Sequence, residues 1–134
     1  MRFRWRQKVL FKHCDPAGIV FYPRYFEMLN DCVEAFFDEA LDWQFETLHK
    51  EAAVPTASIS VDFTAPSRHG DLLEFSLTVA KLGGASMRLE FQAACDGEIR
   101  LKGTSALVYV AANGRPQPWP QDIRKRIADK KLET

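Results

Sequence analysis

Apolar and polar residues repeat along the chain with two different periods. From Tyr25 to Leu41, apolar residues recur every three to four positions, and charged or amide side chains fill most of the others. This spacing gives an α-helix one apolar face. Pro23 suits the first helical turn because proline has no backbone N–H to lose there, so the helix is predicted to begin within a residue or two of Tyr22.

The rest of the chain is dominated by a period of two, which is typical of β-strands with one face toward a core. Arginine alternates with aromatic residues near the N-terminus and predicts a first strand with a charged face. Strict alternation then predicts strands over residues 58–65, 73–79 and 87–93. A last strand is predicted from Glu98 to about Ala111, with its apolar end buried on both faces. Asp96-Gly97 is a strong hairpin signal, so antiparallel pairing of successive strands is expected.

The predicted order is one strand, one long helix, four strands and a charged terminal helix from Asp122 to Leu132. A helix with so aromatic an apolar face needs a sheet curved around it, which predicts an α+β fold: a five-stranded antiparallel sheet wrapped around one long central helix. With 134 residues, the chain fits a single domain, residues 1–134. Its edge strands and outer apolar residues such as Val108 and Val110 favour association with further copies.

Composition excludes several classes of partner. Eighteen basic residues balance eighteen acidic ones, so no overall field favours nucleic acid. No apolar run is long enough to span a membrane, and the N-terminus lacks a secretory pattern, so a cytoplasmic location is expected. Cys14, Cys32 and Cys95 are widely spaced and form no CxxC motif. They are expected to be reduced thiols, and no metal site is predicted.

The stretch HCDPAGIVFYP, residues 13–23, places Asp15 just ahead of the predicted helix. Asp-Pro commonly opens a turn, so the plainest role for this carboxylate is to hydrogen-bond its own backbone. Its position allows a second role, because the first N–H groups of a helix carry about half a positive charge. An acid beside such a helix end is a candidate for catalysis.

The motif and the element order together resemble the hotdog-fold acyl-CoA thioesterases of the 4-hydroxybenzoyl-CoA thioesterase type. The matching positions are Asp15, Pro16, Ala17, Gly18, Ile19, Val20, Tyr22 and Pro23, and FTAPSRHGD is similar to the family's mid-chain turn. The resemblance implies that Asp15 is catalytic, that the helix N-terminus polarises the thioester carbonyl, and that the working unit is at least a dimer.

The activity implied is hydrolysis of an acyl-CoA thioester with an aromatic or short-to-medium acyl group, with coenzyme A as part of the substrate and no other cofactor. Asp15 would act as nucleophile or general base, and the Tyr22 N–H would bind the oxyanion. Substrate contacts are expected from His13, Gly18, Ile19, Val20, Tyr25 and Asn30. Asn30 stands where 4-hydroxybenzoyl-specific members carry an aspartate. Contacts to the coenzyme A phosphates are expected among Arg68, Lys81, Arg88, Arg100 and Lys102.

Two other functions fit the same sequence. The first is a non-catalytic module that binds an acyl thioester on the same fold. The second is an enoyl-thioester hydratase, which would use an Asp and His pair such as Asp15 and His13. The sequence also leaves open whether coenzyme A or an acyl carrier protein bears the acyl group, and whether the assembly is a dimer or a tetramer.

Overall fold

The fold is an antiparallel sheet packed on one long helix, as seen in a computed structural model that describes residues 2–133. The strands are β1 (Phe3–Lys8), β2 (Ala52–Ala53), β3 (Thr56–Phe63), β4 (Leu72–Leu82), β5 (Ser86–Cys95), β6 (Glu98–Val108) and β7 (Val110–Ala111). The helices are α1 (Tyr22–Ala35), α2 (Phe45–Leu48) and α3 (Gln121–Asp129). This architecture confirms the predicted α+β fold.

The main sheet has the strand order β1-β4-β5-β6-β3, and every pair in it is antiparallel. The hairpin at Asp96-Gly97 is confirmed, with both residues in the left-handed region. Pairing in simple succession is wrong for β3, which pairs with β6 at the far edge. The link from β3 to β4 does not form a hairpin. At its start, the Thr64 and Ala65 N–H groups donate to the Arg100 carbonyl, and near its end the Gly70 N–H donates to the Val9 carbonyl.

The long helix begins at Tyr22, as predicted, and continues after Ala35 as a wider π-helical turn over Phe36–Ala40. It buries Tyr25, Met28, Leu29, Cys32 and Val33 against the sheet. Burial raises the pKa of the Cys32 thiol to about 12, so this sulfur stays protonated. All three cysteines are free.

Helix α3 closes the end of this long helix. The Arg126 guanidinium donates to the Leu41 carbonyl at 2.6 Å, and the Lys130 ammonium donates to the Ala40 carbonyl at 2.5 Å. Cations at a helix C-terminus satisfy its last carbonyls and its dipole. Among residues 2–133, no helix has the length and apolar character needed to cross a membrane.

The apolar end of the last strand is only half-buried, so the prediction of burial on both faces is wrong. Leu107 points into the core, but Val108 and Val110 keep intermediate exposure. Only one face of this end of the strand packs against the core. No element within residues 2–133 covers the other face completely.

Candidate functional site

Asp15 lies in a small hairpin in which Cys14 pairs with Val20. The Asp15 N–H donates to the Ile19 carbonyl at 3.0 Å, and the Asp15 carbonyl accepts from the Gly18 N–H at 2.9 Å. Gly18 has a φ of +81°, a left-handed conformation that glycine adopts without strain. The hairpin therefore holds Asp15 immediately before the helix.

The Asp15 carboxylate has one oxygen engaged and one available. Its Oδ1 accepts from the Ala17 N–H at 2.8 Å, which is the turn geometry expected of an Asp-Pro opening. Its Oδ2 has no hydrogen-bond donor within residues 2–133. The side chain is half-buried and lines a depression of about 420 Å³ with Phe11, Cys14 and His69. Nothing in the sequence indicated that His69 lies near Asp15, because only the fold brings its loop to this depression.

The first turn of α1 leaves a single backbone donor free. The Phe21 N–H donates to the His13 carbonyl at 3.0 Å, and the Arg24 N–H donates to the Phe21 carbonyl at 2.8 Å. Pro23 has no N–H, and no side chain caps this helix. Across the described residues, the Tyr22 N–H has no acceptor. It is an unsatisfied donor at the positive end of the helix dipole.

An exposed aromatic trough runs from this helix end along the space between α1 and β3. We define it by Tyr22, Tyr25 and Phe26 of the helix and Ile59 and Phe63 of the strand. Phe63 stacks on Tyr25 at 5.6 Å between ring centroids and meets Tyr22 and Phe26 edge-on at 6.0 and 6.2 Å. The residue nevertheless stays 44% exposed. The trough therefore presents a large apolar surface beside the free N–H.

Three of the predicted substrate contacts, Ile19, Val20 and Tyr25, line the outer end of this trough. Ile19 and Val20 lie there with Tyr22 and Tyr25, around a volume of about 580 Å³. Burial raises the pKa of the Tyr25 hydroxyl, which stays protonated. The fold thus brings the hairpin, the helix start and the trough together, whereas Asp15 itself lines the neighbouring depression in this single chain.

The other end of the trough opens into a pocket of about 650 Å³, here called the inner pocket. Its walls are largely apolar and come from α1, α2, β3 and β6; they include Phe26, Leu29, Val33, Phe45, Ile59 and Leu107. Its polar side chains include Asn30, His49 and Ser105. A mostly apolar pocket with a few polar groups is typical of a small-molecule site.

His13 is buried and holds the hairpin to the helix. Its Nδ1 accepts from the Leu10 N–H at 2.9 Å, and its carbonyl accepts from the Phe21 N–H. Burial, aided by the charge of Lys12, lowers the pKa of the imidazole, so the neutral ring is favoured. These contacts give His13 a task in positioning the helix start. A direct contact between His13 and substrate stays a prediction.

The basic residues predicted to meet coenzyme A do not form one cluster. Arg68 is exposed and pairs with Ile19 beside the hairpin. Lys81 and Arg88 face each other across β4 and β5, and Lys102 lies on the outer face of the sheet. Of these four, Arg68 lies beside the site.

Arg100 is buried in a network that the sequence did not reveal. It is the extra residue at an irregularity where Ala93 and Ala94 of β5 pair with Leu101 and Ile99. Such a bulge breaks the alternation of side chains along a strand. The Arg100 guanidinium donates to Asp71 Oδ2 at 2.7 Å, to the Pro66 carbonyl at 3.1 Å and to Ser67 Oγ at 3.2 Å. Its Nε lies 2.8 Å from Glu98 Oε1 without the alignment of a hydrogen bond.

This network supports the candidate site from behind. The carbonyl of Ser67, a fully buried residue, accepts from the Val20 N–H at 2.8 Å. The Arg68 N–H and the Arg100 guanidinium both donate to Asp71, and they lower the pKa of its carboxyl. Arg100 therefore ties the turn at 66–71 to the hairpin. Its contact with a phosphate stays a prediction, and its side chain is only 11% exposed.

Comparison with known proteins places this geometry among thioesterases. Residues 9–127 match the Thioesterase-like superfamily. A 1,4-dihydroxy-2-naphthoyl-CoA hydrolase of Synechocystis is 25% identical over 129 residues, covering 90% of this chain and 94% of the relative. The corresponding hydrolase of Nostoc punctiforme is 28% identical over 129 residues, covering 92% and 84%. The solved structure of a gentisyl-coenzyme A thioesterase superposes with a TM-score of 0.85 at 25% identity, covering 92% and 98%.

Proposed function

The chain belongs to the Thioesterase-like superfamily, and we propose that it hydrolyses an acyl-CoA thioester with an aromatic or short-to-medium acyl group to the free acid and coenzyme A. The observation that carries this proposal is the free Tyr22 N–H, which opens beside an apolar trough and follows directly on the Asp15 hairpin. The relatives named for naphthoyl-CoA and gentisyl-CoA favour an aromatic acyl group within this range.

In this proposal the helix end and the hairpin have separate tasks. The Tyr22 N–H donates to the thioester oxygen as negative charge develops on it, beside the aromatic trough. On the nucleophilic route the Asp15 carboxylate attacks the carbonyl carbon, the C–S bond breaks with release of the coenzyme A thiolate, and water hydrolyses the mixed anhydride to the free acid. On the general-base route Asp15 takes a proton from water that attacks the carbonyl carbon, and the same thiolate leaves. Gly18, Ile19, Val20 and Tyr25 line the approach, and Asn30 meets the acyl group in the inner pocket. Arg68 is the best placed of the predicted phosphate contacts.

The direct test is a thiol-release assay over a panel of acyl-CoA substrates that runs from acetyl to decanoyl and includes benzoyl and naphthoyl groups. We expect turnover with a preference for aromatic or short-to-medium groups. The same acyl groups on acyl carrier protein distinguish the two carriers. Absence of thiol release with every substrate would contradict the proposal.

A non-catalytic acyl-thioester module is the second candidate, and the Asx turn at Asp15 favours it. A carboxylate that holds its own turn needs no chemical role. This candidate predicts that the wild-type protein binds acyl-CoA in calorimetry and releases no thiol. The hydratase has less support, because His13 is buried and its Nδ1 is already occupied by the Leu10 N–H.

We also propose that the working unit is a homo-oligomer, at least a dimer, formed through β3. This strand is the sheet edge next to the trough, and its unpaired backbone groups are a template for another strand. Four large apolar side chains lie exposed nearby: Phe21, Tyr22, Ile59 and Phe63. A second copy that pairs there covers these residues and joins the two troughs.

A charge on the trough side of β3 is expected to separate the copies. Ile59→Lys places an ammonium group on the apolar side, so light scattering should report a monomer at micromolar concentration, where the wild type is at least dimeric. Ser58→Lys is the matched control, because Ser58 is exposed on the opposite face of the same strand. A monomeric wild type, or dissociation of both variants to the same extent, would argue against this interface.

A further inference from the structure

Ser105 is a polar residue on the concave face of the sheet, at a position where the surrounding side chains are apolar. It pairs with Ile59 and Leu89 across the two neighbouring strands, and its exposed fraction is 5%. Its hydroxyl has no hydrogen-bond partner within residues 2–133, yet it lines the inner pocket. Arg100 Nε is the one fully buried side-chain polar atom without a hydrogen-bond partner among residues 2–133, so the Ser105 oxygen is open to the inner pocket. A hydroxyl that opens into a mostly apolar pocket is available to a polar group of a bound molecule.

His49 presents a second polar group to the same pocket. Its Nδ1 lies 2.8 Å from the Phe45 carbonyl, and its ring meets the Phe45 ring edge-on at 5.0 Å between centroids. Because a carbonyl only accepts, Nδ1 must carry the hydrogen, and Nε2 of the neutral ring is left as an acceptor. His49 is exposed, and this contact favours the tautomer that suits a ligand with a donor group.

We propose that Ser105 and His49 are specificity-determining residues that recognise a hydroxyl group on the acyl part of the substrate. The ligand hydroxyl donates to His49 Nε2 and accepts from the Ser105 hydroxyl, while Leu29, Val33 and Leu107 enclose the ring that bears it. Asn30 lines the same pocket and can pair with a second polar substituent. This inference rests on the proposed function, and it narrows the substrate to a hydroxylated aromatic acyl thioester.

The kinetic test compares benzoyl-CoA with 3-hydroxybenzoyl-CoA and 4-hydroxybenzoyl-CoA. We expect the wild type to prefer a hydroxylated substrate in kcat/KM. Ser105→Ala and His49→Leu should each reduce that preference about threefold to tenfold, the worth of one neutral hydrogen bond. Ser76→Ala is the matched control, because Ser76 is equally buried in the same sheet but lies on the outer face, away from the inner pocket.

A binding measurement separates this inference from the proposed hydrolysis. Thioether analogues of benzoyl-CoA and the two hydroxybenzoyl-CoAs are titrated into wild type and variants by calorimetry. Tighter binding of a hydroxylated analogue by the wild type but not by Ser105→Ala supports the inference, even where no thiol is released from the true thioesters. Equal affinity for all analogues, or a preference that survives in both variants, overturns it even where hydrolysis is rapid.

Discussion

Replacement of Asp15 by asparagine is expected to lower kcat for thioester hydrolysis by about 10²- to 10⁴-fold while the protein stays folded. Both a nucleophilic and a general-base role require the ionised carboxylate, so the loss is expected on either route. The variant keeps an Oδ1 acceptor for the Ala17 N–H, and so it keeps the Asx turn. Thiol release under saturating acyl-CoA measures the effect.

The structure supplies controls for this variant. Asp15→Ala removes both the charge and the turn acceptor, so it should lose activity and also some stability, whereas Asp15→Asn should unfold at nearly the wild-type denaturant concentration. An affinity for a thioether analogue close to wild type would place the loss in the chemical step. If Asp15→Asn turned over substrate at the wild-type rate, Asp15 would not be catalytic. Its role would then be to hold the turn through the Ala17 N–H.

Breaking the Arg100–Asp71 ion pair is expected to have the largest effect on stability. The side chains are only 11% and 29% exposed, so Arg100→Ala leaves the Asp71 carboxylate partly buried beside the Arg68 N–H alone. We expect the free energy of unfolding to fall by about 3 kcal/mol. This is at the lower end of the losses found when one partner of a buried ion pair is removed, because Asp71 remains partly accessible to solvent. Urea unfolding measures this change.

An exposed ion pair in the same sheet is the matched control. Arg4 and Glu74 lie 3.0 Å apart with side chains 66% and 36% exposed, so Arg4→Ala should cost about 0.5 kcal/mol. Arg100→Ala should also reduce kcat/KM, because the turn that Arg100 holds supports Val20 through the Ser67 carbonyl. Equal stability losses in the two variants would contradict a special role for the buried pair.

The same pair makes a specific contribution to acid stability. The pKa of Asp71 is lowered in the folded protein, so its stabilising contribution is fully present above its unfolded pKa of about 3.9 and is lost as pH falls toward the lower folded value. Asp71→Asn should therefore be less stable than wild type at pH 6, with the difference shrinking below about pH 4. A difference that is independent of pH would exclude this linkage.

The local pattern of the sequence determined most of the secondary structure. The apolar period between Tyr25 and Leu41 and the position of Pro23 fixed the long helix and its first residue, because both depend only on neighbours along the chain. Alternation located the strands, and Asp96-Gly97 located one hairpin. The candidate catalytic segment was also local, since HCDPAGIVFYP contains both the carboxylate and the residue whose N–H opens the helix.

Tertiary structure alone decided which distant residues meet. Pairing of β3 with β6 joins residues far apart in the chain, and no local propensity encodes that choice. Simple alternation would put Arg100 on the same face as the exposed Lys102, but the bulge makes Arg100 a buried partner of Asp71, because one extra residue reverses the alternation. The inner pocket likewise gathers Asn30, His49 and Ser105 from a helix, a loop and a strand. Their meeting depends on how the sheet curves around the helix, which is a property of the packed core and not of any single segment.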